Sequence, residues 1–363
     1  MRISGICYRC LILLMYSTLI CCSVLWLAVG HTSYFRLLQL HCCVKKATFA
    51  KNKTNPHDMS RFTVMLAVLL LFPFSLFSQN HIERGYHTIL SSDAQVFVET
   101  LASDSLQGRG AGKAGARMAA EYIVSLLDKW GIKPFGNDGY LQPFTVDGCG
   151  MNNILAVVPG KSREYVVVGA HYDHLGTSVA VDGDSCYNGA DDNASGVSAV
   201  LQIARAVKTM QVAPERGIIF AFWDGEERGL LGSRHFVENC TFLSDISAYM
   251  NFDMIGRGPV DNPGHLTYFY TASYPAFGEW LKEDMEAHSF SFVPDYRAWD
   301  KPTAGSDNAC FAKNGIPIVW YHTEGHPDYH LPSDTPDKIN YQKMTDITRA
   351  AFLCAWRLAN EKY

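Results

Sequence analysis

The chain has 363 residues, 48% of them apolar and 18% charged, with 11 cysteines and a formal net charge of −5. This excludes a disordered polymer, a collagen-like repeat and a small disulfide scaffold, and it suits one globular domain or at most two. The averages hide an asymmetry. Residues 1–78 carry 8 Lys and Arg against one acid, Asp58, leaving 23 basic and 35 acidic residues in 79–363, a balance of −12 that argues against a nucleic-acid partner.

Cysteine is equally uneven. Cys7, Cys10, Cys21, Cys22, Cys42 and Cys43 precede residue 59, and only Cys149, Cys186, Cys240, Cys310 and Cys354 follow. Five is odd, so no complete disulfide framework is implied. Cys7 and Cys10 have the spacing of half a zinc or redox site, but no second CxxC or spaced His pair completes it.

Two apolar runs precede the folded body, Leu11 to Gly30 and Val64 to Phe77. The second follows Met59-Ser60-Arg61 and ends in Ser75-Leu76-Phe77-Ser78 before the polar Gln79-Asn80, the layout of a secretory signal peptide. It is shorter than the roughly 20 residues a membrane-spanning helix needs, whereas the first run is long enough. The expected organisation is residues 1–58 as an upstream or anchor segment outside the mature protein, 59–78 as a signal peptide with synthesis starting at Met59, and 79–363 as the folded domain. Were 1–58 an anchor, Arg36, Lys45, Lys46, Lys51, Lys53 and Arg61 would be held in the cytoplasm. Either arrangement exports the body to a periplasmic or extracellular space, with no membrane contact by the domain itself.

Within the body, Ala114 to Trp130 reads as an amphipathic helix closed by Gly131, and Tyr341 to Glu361 sets Ile347, Ala351, Cys354 and Leu358 on one stripe. Short apolar runs lie between them: Asn153 to Val158, Tyr165 to Ala170, Gly217 to Trp223, Ser247 to Phe252 and Ile316 to Tyr321. They are too short for helices, and a helical stretch, Val197 to Met210, is interleaved with them. The pattern predicts an α/β fold, a single three-layer domain around a mostly parallel mixed sheet flanked by helices. In such folds ligands gather at the carboxyl ends of strands.

The unusual residues fall there. One strand runs into His171-Tyr172-Asp173, a second into Asp224-Gly225-Glu226-Glu227, a third into Asp253, and a fourth is followed by His330; an acidic loop, Asn188-Gly189-Ala190-Asp191-Asp192-Asn193, leads into a helix. Any one of these acids alone is an ordinary loop or cap residue. Together they bring two histidines and several carboxylates to one sheet edge, a donor set suited to zinc in which a carboxylate can bridge two ions.

In order along the chain, Gly169-Ala-His171-Tyr-Asp173-His-Leu-Gly176, Asn188-Gly-Ala-Asp191-Asp192-Asn-Ala-Ser-Gly196, Trp223-Asp-Gly-Glu226-Glu227-Arg-Gly-Leu-Leu-Gly-Ser233, Asn251-Phe-Asp253-Met-Ile-Gly-Arg257 and His326-Pro-Asp-Tyr-His330-Leu-Pro-Ser-Asp334 resemble the signatures of the secreted co-catalytic dizinc aminopeptidases. That family also contains glutaminyl cyclases and transferrin-receptor-like ectodomains. The likeness covers Leu101 to Glu361 and includes Leu106-Gln-Gly-Arg109 and Tyr140-Leu-Gln-Pro-Phe144; the protease-associated insert of some members is missing. The resemblance implies a zinc-exopeptidase-like fold and two zinc ions (Zn2+). Asp191 bridges them, Glu227 and His330 complete one site, and His171 and Asp253 complete the other. Glu226 is then the general base acting on a water between the ions. Asp173 and Asp334 are the carboxylates that orient His171 and His330, and a cis peptide joins Asp191 to Asp192. The implied activity is removal of N-terminal residues from peptides with a free amino terminus. A glutaminyl cyclase, working with one zinc, is the alternative on the same scaffold, and a non-catalytic binding ectodomain is a third that fits less well, because those members lose metal ligands and this chain keeps every type.

Other patterns are set aside. Gly110-Ala-Gly112-Lys-Ala-Gly115 matches GxGxxG but follows no strand and reads as a turn before the Ala114 helix. His322-Thr-Glu-Gly-His326 has its Glu misplaced for a zinc-protease helix, and reads as the loop approaching His330 and lining the substrate pocket. His174 would point away from His171 if the strand pleat continued, and is read as a non-ligand. Ser195 and Ser306 lack a nucleophile elbow and read as a helix-entry residue and a helix cap. Trp320, Tyr321, Tyr329 and Phe311 either wall an apolar pocket near His330 or belong to the core.

Overall fold

A computed structural model describes residues 81–363. The two apolar runs, the six early cysteines and the boundaries at residues 58 and 78 lie outside the described residues. Among the described residues no helix is long and apolar enough to cross a membrane, and the five later cysteines are all free.

Among the described residues eleven strands occur in chain order: β1 (Lys133–Pro134), β2 (Leu141–Val146), β3 (Cys149–Val158), β4 (Tyr165–His171), β5 (Gly176–Val181), β6 (Asp184–Tyr187), β7 (Gly217–Trp223), β8 (Ile246–Phe252), β9 (His265–Thr271), β10 (Val293–Trp299) and β11 (Ile318–His322). The helices are α1 (Ser91–Leu101), α2 (Ala114–Lys129), α3 (Gly196–Met210), α4 (Leu231–Asn239), α5 (Ala276–Ala287), α6 (Asn308–Ala312) and α7 (Tyr341–Asn360). Nine strands make one mixed sheet in the order β1-β3-β7-β4-β8-β11-β9-β10, with β2 beside β3, while β5 and β6 form a separate hairpin.

The centre of the sheet is parallel. β4 lies between β7 and β8, and β8 is followed by β11, all in the same direction. In this register His171 sits beside Trp223, Gly169 beside Asn251, and Tyr321 beside Phe252. Four strands therefore release their carboxyl ends, and the segments carrying His171, Glu226, Asp253 and His330, at one edge. The antiparallel pairs lie to either side, β3 on β7 and β11 on β9.

Both faces of this sheet are covered, as the unbroken apolar runs require. Along the strands alternate residues part into two clusters. Val166, Val168, Ile218, Phe220, Phe222, Met250 and Val319 pack against residues of α1, α2, α3, α5 and α7. Val167, Ile219, Ala221, Trp223, Tyr249 and Ile318 face the other way, onto Phe236 and Val237 of α4 and Phe311 of α6. Each large side chain so buried contributes about 1.5–3 kcal/mol relative to exposure. This gives the rigid three-layer frame on which the strand ends are held. The expected helices at 114–130, 197–210 and 341–361 are present, and Ile347, Ala351, Cys354 and Leu358 of α7 are all buried.

Candidate metal centre

The four strand ends bring their polar residues into a cavity of about 300 Å³, lined among others by His171, Asp192, Glu226, Glu227, Asp253 and Tyr329. His171 is the last residue of β4, Asp253 follows β8 directly, and Glu226 and Glu227 lie on the turn after β7. His330 comes from the loop after β11, at φ 57°, its ring stacked on Tyr329 with centroids 3.8 Å apart.

Asp192 stands at the centre. Its Oδ1 is 3.4 Å from His171 Nε2, and its Oδ2 is 3.1 Å from His330 Nε2. His171 Nε2 is also 3.4 Å from Asp253 Oδ1, and His330 Nε2 is 3.2 Å from Glu227 Oε2. The cluster thus divides into His171 with Asp253 and His330 with Glu227, one oxygen of Asp192 serving each half. Donor atoms of His171, Asp192 and Asp253 lie within 4.8 Å of one another, as do those of His171, Glu226 and Glu227 and those of His174, Asp192 and Glu227.

Asp191, expected to bridge, does not enter this cluster. Its Oδ1 accepts from Gly256 N at 2.6 Å and its Oδ2 lies 3.4 Å from His326 Nε2. Two adjacent acids on an irregular turn project to opposite sides, and it is Asp192 that faces the histidines. The non-proline cis peptide likewise falls one residue later than expected, between Asp192 and Asn193. Gly189 enters this turn at φ 59°, where a side chain would run into the Asp192 carbonyl and the His174 ring.

Three supporting residues act differently from expectation. Asp334 does not orient His330; its carboxylate accepts from the backbone N–H groups of Asp191 and Asp192 at 3.0 and 3.1 Å, fixing the acidic turn instead. Asp173 stands near His171, but its carboxylate is 3.7 Å from Nδ1 while its backbone carbonyl is 3.2 Å away; Oδ1 accepts from Glu226 N at 3.0 Å. His174 is not turned away, because the pleat ends at His171; its Nδ1 meets Glu227 Oε1 at 2.8 Å and Asp192 Oδ2 at 3.6 Å. Ser306 caps no helix through its side chain, whereas Ser195 does sit at the entry to α3 and donates to the Asp191 carbonyl. Of the four aromatics, Trp320 and Tyr329 line the cavity, while Tyr321 and Phe311 belong to the core. His322 and Gly325 line the cavity as expected.

The electrostatics are those of a crowded buried site. Burial would raise the Asp192 carboxyl, but His174, His171 and His330 outweigh it and hold it well below the usual range. The close Asp192 and Glu227 carboxylates push the His330 imidazole up to about 10. Burial pushes the Glu226 carboxyl up to about 10 against the opposing pull of His171, with Asp253, Asp307 and Glu227 adding to the rise. Asp307, which no sequence signal marked, is fully buried beside this group; among the described residues neither of its oxygens has a hydrogen-bond partner, and burial raises it to about 7.

Taking ions out of water costs several kcal/mol apiece unless they are well paired, so folding alone would not select so many carboxylates here. His330 Nε2 lies within 3.2 Å of two carboxylate oxygens, yet neither is placed to take a hydrogen bond from it. Mixed imidazole and carboxylate donors converging in this way fit zinc, with Asp192 able to hold two ions.

Fold and site together define an α/β protein whose strand ends carry imidazole and carboxylate donors suited to zinc. Residues 153–355 match the model of peptidase family M28, and the chain belongs to that family. It is 32% identical over 291 residues to leupeptin-inactivating enzyme 1 of Streptomyces exfoliatus, covering 72% of this chain and 59% of that protein. It thus spans about three fifths of the length of the curated relatives it matches. Among solved structures, the LapA aminopeptidase of Legionella pneumophila superposes with a TM-score of 0.63 at 23% identity, covering 78% of this chain and 75% of that one. A glutaminyl cyclase of Fimbriiglobus ruber does so with a TM-score of 0.59 at 21% identity, covering 75% and 96%. At these identities the two structures speak for the fold.

Proposed function

We propose that the chain is an exported dizinc aminopeptidase that removes N-terminal residues from peptides with a free amino terminus. The observation that carries this reading is the position of Asp192, with one oxygen toward His171 and Asp253 and the other toward His330 and Glu227. Those five side chains would hold the metal. When bound, a zinc pair supplies Lewis acidity and lowers the pKa of a shared water.

The rest of the chemistry belongs to the protein. Glu226 lines the cavity beside His171, with its backbone N–H tied to Asp173. From that place its carboxylate would take a proton from the attacking water and return it to the leaving amine. His174 holds Glu227, and Asp334 holds the turn carrying Asp192, so the ligands keep their orientation through substrate exchange. Met254, Trp320 and Tyr329 give the cavity an apolar wall for the side chain of the residue removed. Export rests on the run Val64 to Phe77 and the polar residues after it.

The full chain, assayed on free-amine, N-acetylated and N-terminal glutamine peptides with and without chelator, tests this reading. Chelator-sensitive cleavage restricted to free amines is expected. Equal cleavage of acetylated peptides would make it an endo- or carboxypeptidase. Pyroglutamate formation with a single bound zinc would make it a glutaminyl cyclase, and zinc binding without turnover would make it a binding module.

A further inference from the structure

Arg109 is completely buried, and every hydrogen bond it donates goes to a main-chain carbonyl. Nε reaches Tyr172 O at 2.8 Å; Nη1 reaches Leu101 O at 2.6 Å and Asn188 O at 2.7 Å; Nη2 reaches Gly189 O at 2.9 Å and Asp192 O at 3.5 Å. Three of these carbonyls belong to the turn that delivers Asp192. A fourth belongs to the residue after His171, and the fifth closes α1. The connection is reciprocal, because the Arg109 carbonyl accepts from His174 N at 3.1 Å and Gly110 bridges His174 in parallel.

This arrangement is costly. Arg109 and Gln107 both lie in the left-handed region, at φ 51° and 49°, conformations that are strained for non-glycine residues and persist only where surrounding contacts over-determine them. A buried guanidinium also pays for its lost hydration. Burial lowers Arg109 to about 10, against the pull of Asp192, Asp173, Asp334 and Glu227, so it stays charged at neutral pH. Among the described residues no carboxylate touches it; its planar fork binds loop carbonyls that would otherwise lack donors. What it ties together are the two segments whose relative placement sets the distance between His171 and Asp192.

We propose that Arg109 is a positioning residue of the metal centre, locking the Asp192 turn to the His171 strand end so that the Asp192 carboxylate stands between His171 and His330. This rests on the dizinc reading above. The geometric effect dominates: the positive charge by itself would repel a bound cation, so its removal would tighten binding, whereas loss of the fork would weaken it.

The test is zinc affinity of the full chain, stripped with chelator and retitrated in competition with a chromophoric chelator, for the wild type, Arg109→Met, Arg109→Lys and a remote core variant, Leu127→Ala. Cobalt substitution gives a second readout, since its absorption reports ligand geometry. Arg109→Met and Arg109→Lys are expected to bind zinc about 10- to 100-fold more weakly and to shift the cobalt spectrum, while Leu127→Ala loses stability without moving either. If Arg109→Met fails to fold, Arg109→Lys decides, because it keeps the charge and loses the fork. Unchanged or tighter zinc binding with a wild-type cobalt spectrum in the folded Lys variant overturns the proposal. A wild type that binds no zinc would instead overturn the dizinc reading itself.

Discussion

Asp191 and Asp192 are consecutive carboxylates turned to opposite sides of one loop: Asp192 faces His171 and His330, and Asp191 faces Gly256 N and His326. Their loss should have opposite consequences. Asp192→Asn is expected to lose zinc and turnover while the fold survives. Asp191→Ala is expected to keep its zinc but lose about 1–3 kcal/mol of stability, the cost of leaving the buried Gly256 N–H without its acceptor. Zinc content by elemental analysis and denaturant unfolding of each variant check this, and zinc loss in Asp191→Ala alone would reverse the assignment.

Glu226 borders the cluster, donating its backbone N–H to Asp173 while the residue stays half-buried next to His171. Glu226→Gln preserves size and removes the proton acceptor. Turnover should fall by about 10²- to 10⁴-fold, with zinc stoichiometry and thermal unfolding unchanged. Activity within tenfold of wild type would show that another group takes the proton, and Asp307 would be the next to vary.

Gly305 lines the cavity at φ 94°, and a Cβ there would lie 2.7 Å from Cζ3 of Trp320. Gly305→Ala therefore carries backbone strain of about 1–3 kcal/mol and displaces the Trp320 ring, which lines the same cavity. We expect a lower melting temperature, and a KM that rises more for peptides beginning with a bulky apolar residue than for those beginning with alanine. Kinetics on a leucine and an alanine peptide measure it; a uniform rise would place Trp320 outside side-chain recognition.

Much of the frame was legible because it depends on local periodicity. Gly217 to Trp223 is unbroken in apolar character, and it forms a central strand with the same limits. The strands His265–Thr271 and Val293–Trp299 were not legible: the first mixes polar and apolar residues, and the second is an edge strand with no buried residue. The hairpin Gly176–Val181 with Asp184–Tyr187 is exposed almost throughout, so no burial pattern announces it.

By itself, the sequence determined the family, the order of the motifs and the residue types that meet at the carboxyl edge of the sheet, because strand runs and the residues directly after them are local features. His171, Glu226, Glu227, Asp253 and His330 all arrive where that reasoning put them. Only the tertiary structure decided which neighbour of a pair faces inward. The turn between β6 and α3 has no regular period, so nothing local separates Asp191 from Asp192. Their directions are set by Asp334, Gly256, His326 and Arg109, which reach them from positions 65 to 143 residues away in sequence and from the buried fork beneath the loop. The same holds for His174, whose ring turns inward because β4 ends three residues before it, a boundary that pairing between strands creates.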